Sequence, residues 1–279
     1  MAVKSLMNIL SIAQNVPGPA TVAKLVRRGG HAIKIEPPAG DQLAMLCATW
    51  YAELHAGVRV ERIDLKSTDG SRALTALLRS ADLFISSQRP SALARLGLDA
   101  ASLRRDLPAL RHLNIVGDTA HPEHAGHDLT YLAQHGLVGH SMPLTLVADL
   151  VGAERAYAAA IELMQSPPGS SREVGLADAI ADLAAPLRHG LTAPGGPLGG
   201  GNAAYRLYAA REGAIAVAAL EPHFRTKLYE LLGMPDDSDL TVAFATKSAR
   251  DWEQWGLDHD LPIVAVRDEG GRTPKFAQG

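Results

Sequence analysis

Over its first 116 residues the chain alternates short apolar runs of strand length with segments of helical periodicity. This alternation constrains the fold more than any other feature. Ala32-Ile33-Lys34-Ile35-Glu36, Val58 to Leu65, Asp82-Leu83-Phe84-Ile85 and Leu113-Asn114-Ile115-Val116 have the pattern of strands. Leu6 to Ala13 is a further apolar run, closed by the turn residues Asn15-Val16-Pro17-Gly18-Pro19. Residues 20–28 carry Val22, Leu25 and Val26 on one side and Lys24, Arg27 and Arg28 on the other, which predicts a helix. Residues 42–56, 69–80 and 99–106 also have helical spacing, with Ala73, Leu74, Leu77 and Leu78 forming one apolar stripe. Strands separated by helices mean βαβ units and a parallel sheet. Right-handed crossovers make such a sheet a Rossmann-like layer.

The pattern changes after residue 150. Residues 151–165 and 173–188 predict two helices, and 189–204 is rich in Gly and Pro. Tyr205 to Tyr208, Ala214 to Leu220 and Leu261 to Val266 are strand-like, with helices expected over 223–232 and 248–256. The fold class expected is α/β: a large Rossmann-like domain over 1–180, a linker over 181–202 and a small α+β domain over 203–260.

Composition excludes several functions. The 27 Lys and Arg against 30 Asp and Glu give a net charge of -3, without the basic footprint of a nucleic-acid binder. A single cysteine, Cys47, excludes a disulfide framework and a cysteine zinc cage. No apolar stretch approaches the ~20 residues of a membrane span. Asn8 and Ser11 interrupt the only signal-like run, and no cleavage site follows it. The expectation is a cytoplasmic protein with neither nucleic acid nor membrane as partner. The His121, His124, His127 spacing falls in a loop; His121 and His124 are read as solvated histidines, with no metal site expected.

Three residues could do acid–base work. His127 precedes the apolar positions Leu129, Tyr131 and Leu132. Asp149 stands just before a helix expected to start near Gly152, so its spacing equally fits an N-cap. Glu221 is followed by Pro222, a residue favoured in a first helical turn, and fits a cap as well. Neither composition nor spacing groups the three.

A series of motifs does. Ala125-Gly126-His127-Asp128-Leu129-Thr130-Tyr131-Leu132-Ala133 resembles the GHDxNYLA motif of the class III CoA-transferase family, which includes CaiB/BaiF proteins and α-methylacyl-CoA racemases. Val16-Pro17-Gly18-Pro19, Ile33 to Pro38, Ile63 to Ser67, Asp82 to Leu98, Leu146 to Asp149, Tyr205 to Tyr208, Ala219 to Phe224 and Pro274-Lys275-Phe276 resemble further family landmarks, in the family's order. The resemblance is closest to the racemase branch, in shortened form.

The resemblance implies that His127 and Asp149 flank the α-carbon of an acyl-CoA thioester, one removing the α-proton and the other returning it. Glu221 would orient His127, and Tyr205 would line the acyl pocket. Arg89 and Arg95 would hold the coenzyme A, two guanidinium groups being suited to phosphates. Asp128 would lie beside the substrate. Coenzyme A would enter only as part of the substrate, with no permanently bound cofactor. In the family's transferases the residue matching Asp149 is instead a nucleophile that forms an acyl-aspartyl anhydride. A shortened binder of CoA thioesters without turnover is the third reading. The resemblance also implies an interlocked homodimer in which the segment 261–279 returns to complete the large domain. Pro37 stands where racemases often carry an arginine, and Thr145 where they carry an asparagine.

Overall fold

The computed structural model describes residues 7–139 and 141–267. The chain divides into two compact units, one up to Ala184 and one from Ala185.

The first unit begins with β1 (Asn8–Ser11), α1 (Pro17–Arg27), β2 (His31–Glu36), α2 (Gln42–Leu46), α3 (Ala48–Leu54), β3 (Val58–Arg62), α4 (Thr68–Leu78) and β4 (Leu83–Ser86). It continues with α5 (Pro90–Arg95), α6 (Ala100–Asp106), β5 (Arg111–Val116), α7 (Asp128–Gln134), α8 (Val147–Gln165), β6 (Ser171–Gly175) and α9 (Leu176–Leu183). Six strands form one parallel sheet in the order β3-β2-β1-β4-β5-β6. The order reverses between β1 and β4, the position at which doubly wound sheets open a ligand crevice beyond the carboxyl ends of their strands.

Alternation along each strand divides the core in two. Ile9, Leu83, Ile85, Leu113 and Ile115 face Val22 and Leu25 of α1 and Ala156, Ala160 and Leu163 of α8. Leu10 and Phe84 face the other way, onto Leu74 and Leu78 of α4, Leu93 of α5 and Leu103 of α6. Each large aliphatic chain so buried contributes ~1.5–3 kcal/mol. The alanines of α8 let that helix lie close to the sheet and to α1.

Several expectations are corrected. The helix expected from residue 20 starts at Pro17, where a proline loses no intrahelical bond. The segment 42–56 is two helices broken at Cys47, whose φ of -153° and ψ of 84° are not helical. The apolar spacing expected to make 173–188 one helix instead gives a strand as far as Gly175, because pairing with β5 overrides the local pattern. That strand completes the sheet. Helices α5 and α7 were not expected at all.

The second unit holds α10 (Ala185–Arg188), β7 (Tyr205–Ala209), β8 (Ala214–Ala218), α11 (Pro222–Leu232), α12 (Thr241–Phe244), α13 (Ala249–Asp258) and β9 (Ile263–Ala265). Its antiparallel sheet runs β7-β8-β9. Tyr208, Ile215, Val217, Phe244, Trp252 and Ile263 build its core. The return of 261–279 to the large domain is not what residues 263–265 do: they pair with β8 and bury Ile263 and Ala265 in the small core. Residues 268–279, including Pro274-Lys275-Phe276, lie outside the described residues.

Candidate active site

Asp128 and Asp149 come together where α7 meets the start of α8, and His127 directly precedes Asp128. His127 is the N-cap residue of α7 and is exposed. Its backbone N–H donates to Thr130 Oγ1 at 2.9 Å, and that hydroxyl donates back to the His127 carbonyl at 2.8 Å. This fixes the backbone under the imidazole while leaving the ring open. Gly126 is required here by close approach: a Cβ would overlap the ring and hydroxyl of Tyr131, which folds back from α7.

Asp149 is not the cap that its spacing suggested. The helix α8 starts two residues earlier, at Val147, so Asp149 occupies the third helical position. Its backbone N–H has no partner within the helix and donates to Asp128 Oδ1 at 3.1 Å. Among the described residues no donor reaches the Asp149 carboxylate. Burial, and next the negative charge of Asp128, push its carboxyl up from 3.8 to about 6. Asp128 itself is buried, with 6% of its surface exposed. Tyr131 lies close enough to Asp149 that the carboxylate adds to the burial that raises its phenol.

The loop that carries His127 also reaches α5. Glu123 accepts from the Ser91 backbone N–H at 2.7 Å and from the Ser91 hydroxyl at 2.8 Å. These bonds, helped by Arg89 and Arg95, hold the Glu123 carboxyl below its ordinary value. Arg89 precedes α5 and is exposed; its charge reaches Tyr131 as well as Glu123. His121 and His124 stack with ring centroids 4.8 Å apart.

Arg95 lines a cavity of about 820 Å³ at the carboxyl ends of β1 to β4, the crevice that the strand order predicts. Gln14, Glu36, Lys66, Arg72 and Gln88 line it too, from strand ends, the loops that follow them and the first turns of α4. Lys66 belongs to the landmark Ile63 to Ser67, but the sequence assigns a role neither to it nor to Arg72. Only the convergence of the segments that follow the strands at one edge of the sheet groups them with Arg95. Pro37 also lines this cavity.

Behind the crevice lies a buried charge network. Lys34, 2% exposed, places Nζ 2.5 Å from Asp41 Oδ2, 3.0 Å from Glu36 Oε1 and 2.9 Å from His55 Nε2. Tyr51 donates to Glu36 Oε1 at 2.8 Å. The Asp41 carboxylate accepts the Asn15 N–H at 3.1 and 3.2 Å, holding that residue at φ 64° in the turn after β1. The network therefore shapes the loop that presents Gln14 to the cavity.

Tyr205 and Glu221 belong to the second unit. Tyr205 starts β7 and is half-buried. Glu221 is the exposed N-cap residue of α11; its side chain makes no capping bond, and Pro222 fills the first turn as expected.

A family model described as CoA-transferase family III matches residues 6–262, in agreement with the resemblance read from the motifs. The chain is 27% identical over 141 residues to a probable fatty acyl-CoA transferase of Mycobacterium tuberculosis, covering 46% of this chain and 36% of that protein. It is 29% identical over 122 residues to the cinnamoyl-CoA:phenyllactate CoA-transferase of Clostridium sporogenes, covering 40% and 30%. It is 26% identical over 257 residues to the α-methylacyl-CoA racemase of Mus musculus, covering 83% and 65%. Each match thus spans less than two thirds of the relative's own length. The solved structure of Rv3272 from M. tuberculosis superposes with a TM-score of 0.83 at 21% identity, covering 96% of this chain and 86% of that one. A CaiB/BaiF family protein from Brucella suis gives 0.75 at 20%, covering 95% and 84%. These two likenesses establish the fold.

Proposed function

The chain belongs to CoA-transferase family III, and on that premise we propose that it racemises or epimerises a 2-methylacyl-CoA by removing and returning the α-proton. The observation that supports this reading is the state of Asp149. Among the described residues no donor reaches its carboxyl, which is pushed up to about 6. A carboxylate of ordinary acidity is a poor proton donor at neutral pH, whereas one near 6 both accepts and gives a proton there. The imidazole of His127 is the second exchanging group, a side chain suited to proton transfer near neutrality.

In this mechanism the thioester carbonyl acidifies the α-proton. One of the pair takes it, an enolate forms, and the other protonates the opposite face. Arg89 and Arg95 hold the coenzyme A phosphates. The working unit is an interlocked homodimer in the cytoplasm.

A second reading has its own support: relatives that match this chain are named as CoA-transferases. There Asp149 would attack an acyl-CoA, release the CoA thiolate and form an acyl-aspartyl anhydride. A non-catalytic binder of CoA thioesters is the third.

Incubation with a panel of 2-methylacyl-CoA thioesters in deuterated water separates them. Deuterium entering the α-position with wild type, and not with Asp149→Ala or His127→Ala, is the expected result. Absence of exchange with a thioester that demonstrably binds sinks the racemase reading. An Asp149 adduct trapped by hydroxylamine would then identify the transferase, and binding without either would identify the binder.

A further inference from the structure

We propose that Asp128 is a positioning residue whose buried carboxylate ties the helix that begins after His127 to the first turn of the helix that carries Asp149. The proposal deepens the reading above, in that the two elements joined are those bearing the proposed acid–base pair.

The geometry carries it. A helix leaves its first backbone N–H groups without internal partners, and the residue before the helix ordinarily supplies a side-chain acceptor. The residue before α8 is Leu146, which has none to offer. The acceptor comes instead from 21 residues upstream, where Asp128 Oδ1 takes the Asp149 N–H at 3.1 Å. Asp128 is the first residue of α7, directly after His127. One carboxylate therefore fixes the backbone of Asp149 to the residue adjoining His127. Its 6% exposure keeps solvent from competing for the bond. A carboxylate at a helix N-terminus is also favoured by the helix dipole, so the joint is electrostatic as well as geometric.

The same carboxylate acts on the chemistry of its neighbour, since its charge is the second cause, after burial, of the raised Asp149 carboxyl. Other charged groups on the packed elements are engaged elsewhere. Lys24 of α1 pairs with Glu154 of α8, Arg28 reaches Tyr157, and Arg155 pairs with Asp182 of α9. Asp178 of α9 bonds Thr119. Tyr131 on α7 also interacts with Asp149, and Asp118 and Arg89 act on Tyr131. Asp128 thus combines two effects, a cap and a charge, that substitution can separate.

Asp128→Asn keeps an oxygen acceptor for the Asp149 N–H and removes the charge. Asp128→Ala removes both. The experiment follows the Asp149 carboxyl by carbon NMR titration in wild type and both variants, assigned by its loss in Asp149→Asn. Amide hydrogen exchange over residues 147–150 is read in parallel. For Asp128→Asn the expected result is a carboxyl midpoint that moves down from about 6 with amide protection preserved. For Asp128→Ala the midpoint also moves, and Asp149 amide exchange quickens roughly fivefold, as loss of a cap implies. A midpoint unchanged in Asp128→Asn, or protection unchanged in Asp128→Ala, overturns the proposal. Should the alanine variant not fold, Asp128→Leu, which fills the same space without an acceptor, takes its place, and amide protection of Asp149 unchanged there overturns the proposal. Neither readout needs turnover, so failure of the racemase reading would leave this result standing, and the reverse.

Discussion

Replacing Asp149 by Asn should make the folded protein more stable at neutral pH while ending proton exchange. The magnitude follows from the carboxyl, which titrates at 3.8 when unperturbed and at about 6 in the fold. Below pH 3.8 it is protonated in both states and costs nothing. Between 3.8 and about 6 the unfolded chain loses its proton first, so stability falls as pH rises. Above about 6 the cost is complete. At ~1.4 kcal/mol for each pH unit the gap comes to roughly 3 kcal/mol. Solvent reaching the partly open side of the carboxyl lowers this to ~2 kcal/mol. For a unit of this size that is roughly 4–8 °C in Tm. The substitution leaves the bond to Asp128 in place, because that bond uses the backbone N–H. The assay is thermal unfolding of wild type and Asp149→Asn from pH 4 to pH 8. The variant should gain at pH 7 and the gain should vanish toward pH 4. His112, buried and pushed down to about 4, also weakens the fold in acid, but equally in both proteins. A variant no more stable than wild type at pH 7, or a gain independent of pH, would refute the reasoning.

Two further outcomes are expected. Lys34→Met should cost ~3–5 kcal/mol in urea unfolding, because it leaves Glu36 and Asp41 buried without their cation; a loss under ~1 kcal/mol would mean that the site neutralises itself some other way. Arg95→Ala should weaken binding of free coenzyme A roughly tenfold or more by calorimetry, as expected for one charge-assisted phosphate contact, and an unchanged affinity would remove Arg95 from the coenzyme site.

The sequence determined the class of the fold and the family, and it nominated the residues proposed to react. Alternating strands and helices require a parallel sheet, since each apolar face must be covered by the crossover that follows it. Motif order marked His127, Asp128 and Asp149, because chemistry needs particular side chains at particular places in a chain. Tertiary structure decided what spacing leaves open. The strand at Ser171–Gly175 exists because β5 offers an unpaired edge. Lys34 looks like the polar side of an alternating strand, yet it is buried, because a parallel sheet is covered on both faces. Lys66, Arg72 and Arg95 line one cavity only because the segments that follow successive strands, α4 and α5 included, start at one edge of the sheet. The bond from Asp128 to Asp149 spans 21 residues. It forms because packing of α7 against α8 brings a buried carboxylate to a helix end that has no local cap.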